Sequence, residues 1–335
     1  MSEHDPRRGR DTIVEDEEEE EARPGEGSRA TSFVPAEGAT AAAAAVEGGA
    51  STYQASLWGD AWRQLRKNPL FLISGALLVG FIVIAIAPGL FTNIDPAGAN
   101  CDLGNSVDRP SRGHLFGYDI QGCDYYTRVL YGTRVSLTIG LLVVGFDVVI
   151  AIVLGSIAGF FGRFWDGTLS RIADIWFALP TTLAAIVFLS VVGERGLLQV
   201  SAVLIFLGWP TLMRLMRSSV LSGKEADYVQ AARALGASNW RILRVHILPN
   251  GIAPVIVYAT IAVGIIIAAE AALSFLGVGL QLPNISWGLM INAAQNRILS
   301  SPHLLLFPAL FLSVLVLTFI IIGDALRDAL DPRLR

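Results

Sequence analysis

Six stretches of apolar sequence, each near the ~20 residues that a helix needs to cross the ~30 Å hydrocarbon core of a bilayer, decide what this chain can fold into. They run over residues 71–90, 135–161, 172–192, 197–213, 252–276 and 304–322. In hydrocarbon every backbone N–H and C=O must find a partner within the protein, so such stretches become helices. The chain is 53% hydrophobic and only 16% charged, whereas soluble domains carry roughly a quarter charged residues. These features predict an all-α integral membrane protein with six transmembrane helices. The second span is long enough to tilt or to protrude. The fourth is short and holds Trp209-Pro210, which predicts a kink there.

The net charge of −4 conceals a segregation of charge along the chain. Acid is concentrated in the run Glu15, Asp16, Glu17, Glu18, Glu19, Glu20, Glu21. Residues 1–55 hold almost no bulky apolar side chains and read as a disordered acidic tail, either a solvated spacer or an interaction segment. That tail lacks the pattern of a signal peptide. Residues 56–335 form the membrane domain. Arg63, Arg66 and Lys67 precede the first span; Arg163 and Arg171 separate the second from the third. Arg214, Arg217, Lys224, Arg233, Arg241 and Arg244 separate the fourth from the fifth, and Arg327, Arg333 and Arg335 follow the sixth. With six spans all four clusters fall on one side, which the positive-inside rule assigns to the cytoplasm together with both termini. Arg109, Arg112, Arg128 and Arg134 lie in the first outside loop, 91–134, against the rule; long loops translocate largely regardless of charge.

Two local patterns go beyond topology. Ala151, Gly155 and Gly159 recur every fourth residue on the second span, which lets another helix backbone come close. The cytoplasmic segment 221–250 holds a short helix from Tyr228 to Leu235, with Asp227 as its expected N-cap. Gly236 stops it where a left-handed residue is needed. Ser238 or Asn239 caps a second short helix, and Pro249 marks entry to the fifth span. A segment that merely linked two spans would need no such caps.

This segment resembles the EAA loop of ABC importer permeases, E-A-A-x3-G-x9-I-x-L-P, which falls here on Gln230-Ala231-Ala232, Gly236, His246, Leu248 and Pro249. Gln230 stands in place of the Glu, and His246 in place of the Ile. His114-Leu115-Phe116-Gly117-Tyr118-Asp119 with Gly122-Cys123-Asp124 resembles the HPLGTDxxGRD of the peptide-transporter branch, with Cys123 where that branch often has Arg. Tyr131-Gly132-Thr133-Arg134-Val135-Ser136-Leu137 resembles YGARVSL, Glu270-Ala271-Ala272-Leu273-Ser274-Phe275-Leu276-Gly277 resembles EAxLSFLGLG, and Gly323 to Arg333 resembles the branch's C-terminus. Together these identify the chain with the C-type permeases of dipeptide and oligopeptide importers. The resemblance implies a MetI-like, type I core and residence in a prokaryotic inner membrane. It implies a heterodimer with a B-type permease, two ABC ATPase domains, and an extracytoplasmic substrate-binding protein, with no role for nucleic acid. Tyr228, Gln230, Ala231, Ala232, Leu235, Gly236 and Ala237 would form the coupling helix that docks on the ATPase. ATP and Mg would be bound by the partners: the chain has no G-x4-G-K-[ST], and Gly223-Lys224 lacks the upstream glycine and strand. Peptides are the implied solute, although related permeases carry nickel chelates. The competing readings are a secondary transporter with Asp147 and Glu270 as ion-coupling groups, and a membrane-anchored scaffold using the acidic tail.

Intramembrane acids usually face a bundle interior or a wet cavity. Glu270 is thus either a pore-lining residue or an internal polar clamp with Ser274, and Asp147 allows the same two readings. Asp174 and Asp324 lie near the cytoplasmic ends. Cys101 and Cys123, the only cysteines, share the first outside loop, where a disulfide is favoured over two free thiols. With His114 they fall short of a four-ligand metal site. Trp287 reads as an interfacial anchor or as a contact for the binding protein.

Overall fold

A computed structural model describes residues 57–96 and 101–330. The acidic tail, Arg333 and Arg335 lie outside the described residues. Eleven helices follow one another among the described residues: α1 Leu57–Leu65, α2 Pro69–Ile86, α3 Tyr125–Phe161, α4 Arg163–Ala178, α5 Thr181–Val191, α6 Leu197–Lys224, α7 Asp227–Ala234, α8 over 239–251, α9 Ala253–Phe275, α10 Trp287–Ala294 and α11 His303–Leu330. Short π-helical turns interrupt α3 at Ala151–Gly155 and α8 at Ile242–Ile247. Five helices (α2, α3, α6, α9 and α11) are long and apolar enough to cross a membrane. The bent pair α4–α5 makes a sixth span if it counts as one.

The spans differ from the expected ranges wherever a polar residue or a proline sets a boundary. Helix α2 starts at Pro69, before residue 71, because the Asn68 side chain accepts from the N–H groups of Leu70 and Phe71. It ends at Ile86, short of residue 90, just ahead of a 3-10 turn that opens on Pro88. Helix α3 starts at Tyr125, inside the expected outside loop 91–134, because Asp124 caps it through Thr127 N at 2.8 Å. Its polar first turns hide this start from a hydropathy reading. The third span is not one straight helix over 172–192. Pro180 separates α4 from α5, and the two axes differ by 85°. Arg163 and Arg171 therefore sit on α4 rather than in a loop.

Helix α6 does not stop at residue 213 but continues through Pro210 to Lys224. Proline lacks the N–H that would reach back four residues, which leaves the Phe206 carbonyl over. The Trp176 indole on α4 donates to that carbonyl at 2.7 Å. Helix α11 likewise runs past residue 322 to Leu330, where Ala325 and Ala329 pack on Ala61 and Leu65 of α1.

At the centre α9 packs against α3, α6, α10 and α11. Small residues set the closest approaches. A Cβ on Gly155 would lie 2.7 Å from the Met213 carbonyl oxygen of α6, and one on Gly159 would lie 2.8 Å from that of Arg217. Ala151, in register with them, is fully buried and joins the same core as Met213 and Met216. Lipid tails are as apolar as the helices, so this contact draws on close packing rather than on the hydrophobic effect. Gly155→Leu meets backbone as well as side-chain atoms and forces α3 and α6 apart. It should destabilise the bundle by at least the ~1–3 kcal/mol typical of overpacking, read as a lower thermal midpoint in detergent. Gly145→Leu, where nothing lies within 4 Å, should leave the midpoint near that of the parent.

Candidate functional site

At the end of the bundle where α3 finishes, α6, α7 and α8 form one braced unit. Lys224 donates to the Phe160 carbonyl at 2.9 Å. Helix α7 begins at Asp227 with Ala226 as its N-cap. The expected Asp227 cap is thus displaced by one residue; the carboxylate lies in the first turn, where it favours the positive end of the helix dipole. Ala237 N reaches the Ala232 carbonyl and Gly236 N the Arg233 carbonyl, both at 3.0 Å, a Schellman stop with Gly236 at φ +80°. Nothing lies within 4 Å of a Cβ placed there, so the demand for glycine is conformational rather than steric. Ser238 then caps α8 through Arg241 N at 3.4 Å.

Val229, Ile242, Leu243 and Ile247 anchor the segment in the same core as Met216 and Val220. Of the sequence-predicted residues, Tyr228, Gln230, Ala231, Leu235 and Gly236 are exposed, while Ala232 and Ala237 turn inward onto that core. Leu235 is 90% exposed, and Trp240 and Val245, not singled out from sequence, extend the exposed apolar surface. Their signal in sequence was an unexplained Trp in a basic segment.

At the opposite end, where α3 begins, residues 101–124 form a folded cap. Cys101 and Cys123 are joined by a disulfide. Asp102 N donates to the Gly122 carbonyl at 3.1 Å, and Tyr118 pairs with Asp124 in an antiparallel bridge. Asp119 accepts from Gln121 N and Cys123 N, each at 2.8 Å, and pairs with Arg128. His114 Nδ1 lies 2.6 Å from the Asp124 carboxylate, the N-cap of α3. A Cβ on Gly122 would fall 1.8 Å from the Asp102 carbonyl oxygen, so the chain crossing there admits only glycine. Arg134 donates to the Ala85 and Ile86 carbonyls at 2.7 and 2.9 Å and closes the end of α2.

Glu270 is fully buried on α9. One carboxyl oxygen accepts from Ser274 at 2.8 Å and from Ser286 at 3.1 Å, while Oε2 has no protein partner. Ser286 also caps α10 through Leu289 N at 3.4 Å, so Glu270 ties α9 to the start of α10. Enclosed within this chain and bonded to two hydroxyls, the carboxyl group has the arrangement of a clamp. Asp147 is also buried, lodged against Gly208 of α6; its Oδ1 is without a partner. Trp287 is neither an interfacial anchor nor a free contact. It is fully buried, because its indole donates to the Val129 carbonyl at 2.9 Å and its ring packs over Gly132 and on Phe81 and Phe311. Asp174 pairs with Arg214 of α6, and Asp324 is exposed near the end of α11.

Glu270→Gln keeps an oxygen for both serines and should retain parental stability. Glu270→Leu strands two buried hydroxyls and should cost about 1–3 kcal/mol, seen as lower folded yield and thermal midpoint. A Leu variant as stable as the Gln variant would exclude the clamp.

The chain resembles known proteins over almost all of its described length. The profile of the binding-protein-dependent transport system inner membrane component matches residues 151–335. That of the N-terminal transmembrane domain of oligopeptide transport permease C matches residues 56–106. The dipeptide transport system permease protein of Alkalihalophilus pseudofirmus is 41% identical over 283 residues, covering 84% of this chain and 91% of that protein. The oligopeptide transport system permease protein of Bacillus subtilis is 38% identical over 280 residues, covering 84% and 91%. The glutathione transport system permease protein of Pectobacterium atrosepticum is 36% identical over 278 residues, covering 83% and 92%. With its spans, its braced α7–α8 segment and these matches in hand, the chain belongs to the family of inner membrane components of binding-protein-dependent ABC transport systems, within the C-type permeases of its dipeptide and oligopeptide branch.

Proposed function

We propose that this chain is one of two permease subunits lining the translocation path of an ATP-driven peptide importer, and that α7–α8 couples it to a cytoplasmic ATPase. The observation that carries the reading is the braced segment itself. Its capped turn, its anchored Val229 and Ile242, and its exposed Tyr228, Leu235 and Trp240 give a rigid knob with an apolar tip. Such a knob transmits rigid-body motion of whatever it docks into directly to α6 and α9, which continue from its two ends. ATP and Mg belong to the ATPase partners, and this chain contributes no catalytic group.

A B-type permease completes the path, and an extracytoplasmic binding protein delivers the solute. Dipeptides and oligopeptides are the proposed class, supported by the similarity to dipeptide and oligopeptide transport permeases; glutathione-type peptides fall within it. The basic residues Lys224, Arg233, Arg241 and Arg244 around the knob support a cytoplasmic placement for it and for both termini.

Uptake of a labelled dipeptide into proteoliposomes should require ATP and the ATPase subunits; uptake driven by an ion gradient without them would reverse the assignment to an ATP-driven importer. A cysteine at Ser238 should resist a membrane-impermeant thiol reagent in intact cells and react after permeabilisation. Efficient labelling of intact cells would invert the topology. Gly236→Val should leave insertion intact and strain the turn by about 1–2 kcal/mol, lowering ATPase co-purification and transport. Gly236→Asn, which tolerates positive φ, should retain most of both. Equal behaviour of the two variants would remove the turn from the coupling mechanism.

A further inference from the structure

An apolar groove of about 570 Å³ runs between α2 and α11, a volume within the range of ligand sites. Leu77, Phe81 and Ile84 of α2 and Phe311 and Val314 of α11 wall it. Ala76 and Gly80, one turn apart on α2, carry too little side chain to fill it. On α2 the groove extends from Ile73 to Ile84. At ~1.5 Å per residue that is about 17 Å, close to one leaflet of a ~30 Å hydrocarbon core.

Of the five long spans α2 buries the least of itself. Between Pro69 and Ile86 its one polar side chain, Ser74, is buried. The groove therefore offers a protein partner no side-chain hydrogen bond to fix its register, while its walls match a hydrocarbon chain. Groups suited to the other part of a lipid stand at one end. Asn68 caps α2 about 8 Å along the axis from Ile73, and the exposed Arg66 and Lys67 immediately precede it. The Arg66 guanidinium lies 4.8 Å over the ring of exposed Trp62, and aromatic and basic side chains of this kind concentrate at headgroup level. Stacking uses the face of the guanidinium and leaves its N–H edges for a phosphate. Arg63 is taken by Asp60. Among the described residues Arg66 and Lys67 form no ion pair, either with each other's neighbours or with Asp324 and Asp328 at the end of α11.

We propose that this groove is a phospholipid site, with one acyl chain lying along α2 from Ile73 to Ile84 and the phosphate resting on Arg66 and Lys67. The bound chain fills the gap that the protein's own side chains leave between α2 and α11. Such a site depends on the membrane spans and not on what the protein carries. Neither the braced segment nor the Glu270 clamp contributes to it.

The test uses the full chain, purified in detergent with the subunits that accompany it. Dioleoylphosphatidylglycerol, titrated by native mass spectrometry, should bind one site saturably ahead of weaker annular uptake. An analogue with a diazirine midway along one acyl chain should label the 73–84 and 310–314 peptides on irradiation. A Cβ at Gly80 meets nothing within 4 Å, so Gly80→Leu fills the groove without disturbing the bundle. Gly80→Leu and Ala76→Leu should each weaken binding about tenfold. Gly75→Leu, equally open but outside the groove, should bind like the parent. Arg66→Gln combined with Lys67→Gln should weaken binding about tenfold. Dioleoylglycerol, which lacks the phosphate, should bind the parent as weakly as the phospholipid binds that double variant.

Equal binding by Gly80→Leu, Ala76→Leu and Gly75→Leu overturns the proposal, as does an absence of saturable binding to the parent. Binding of dioleoylglycerol as tight as that of the phospholipid overturns the phosphate contact and with it the site. Labelling spread evenly over the exposed faces of all the spans means annular lipid only and also overturns it. If the groove instead receives a helix of another subunit, the diazirine lipid will leave the parent groove unlabelled and Gly80→Leu will lose that subunit on purification, again overturning it. ATP-dependent uptake by the parent is read separately: its absence removes the importer and leaves the lipid site, and its presence without saturable lipid binding does the reverse.

Discussion

Every helix that ends or breaks inside hydrocarbon leaves carbonyls that water cannot reach, and this bundle is organised around supplying donors for them. The donors come from other helices. Arg134 of α3 closes α2, Trp176 of α4 takes the carbonyl left over by Pro210 in α6, and Lys224 of α6 takes Phe160 near the end of α3. Asn292 of α10 takes Phe275 at the end of α9, Tyr125 takes Leu304 at the start of α11, and Ser219 of α6 takes Gly251 before α9. Each bond satisfies a carbonyl left over at a helix end or at a proline and also pins two helices at a chosen height. Apolar packing alone would leave such helices free to slide, since their surfaces are uniformly greasy.

Glycine contacts complement these pins. The α3–α6 seam at Gly155 and Gly159, Gly264 against Val316 of α11, and Gly288 against Ala271 bring backbones close along the interior. The pins set the register, and the seams set the spacing. The braced α7–α8 segment continues this frame beyond the bundle, since its buried residues enter the core of α3 and α6. Packed side chains rather than loose loop therefore join this segment to the α3–α6 seam.

Much of this was legible in the residues. Long apolar runs located the five long spans and the bent α4–α5 pair, Gly236 and Ser238 gave the turn and the cap of the α7–α8 segment, and the Ala151-Gly155-Gly159 spacing gave the seam. What escaped was set by tertiary partners. The start of α3 at Tyr125 depends on Asp124 and on a cap folded over it, so polar sequence there looked like loop. The bend at Pro180 was masked because both arms are apolar. Trp287 looked interfacial because its partner, the Val129 carbonyl, lies 158 residues away in sequence. Glu270 was recognised as an intramembrane acid, but Ser286, the second half of its clamp, carries no local signal.

The packing of α1 on the end of α11 has a practical meaning for anyone watching the protein move. Ala61 and Leu65 share one small cluster with Ala325 and Ala329, so the first and last described helices form a common reference frame. A pair of spectroscopic labels placed on them would stay at nearly constant separation through a transport cycle. A pair with one label there and the other on exposed Leu235 would read out any movement of the α7–α8 segment against that frame.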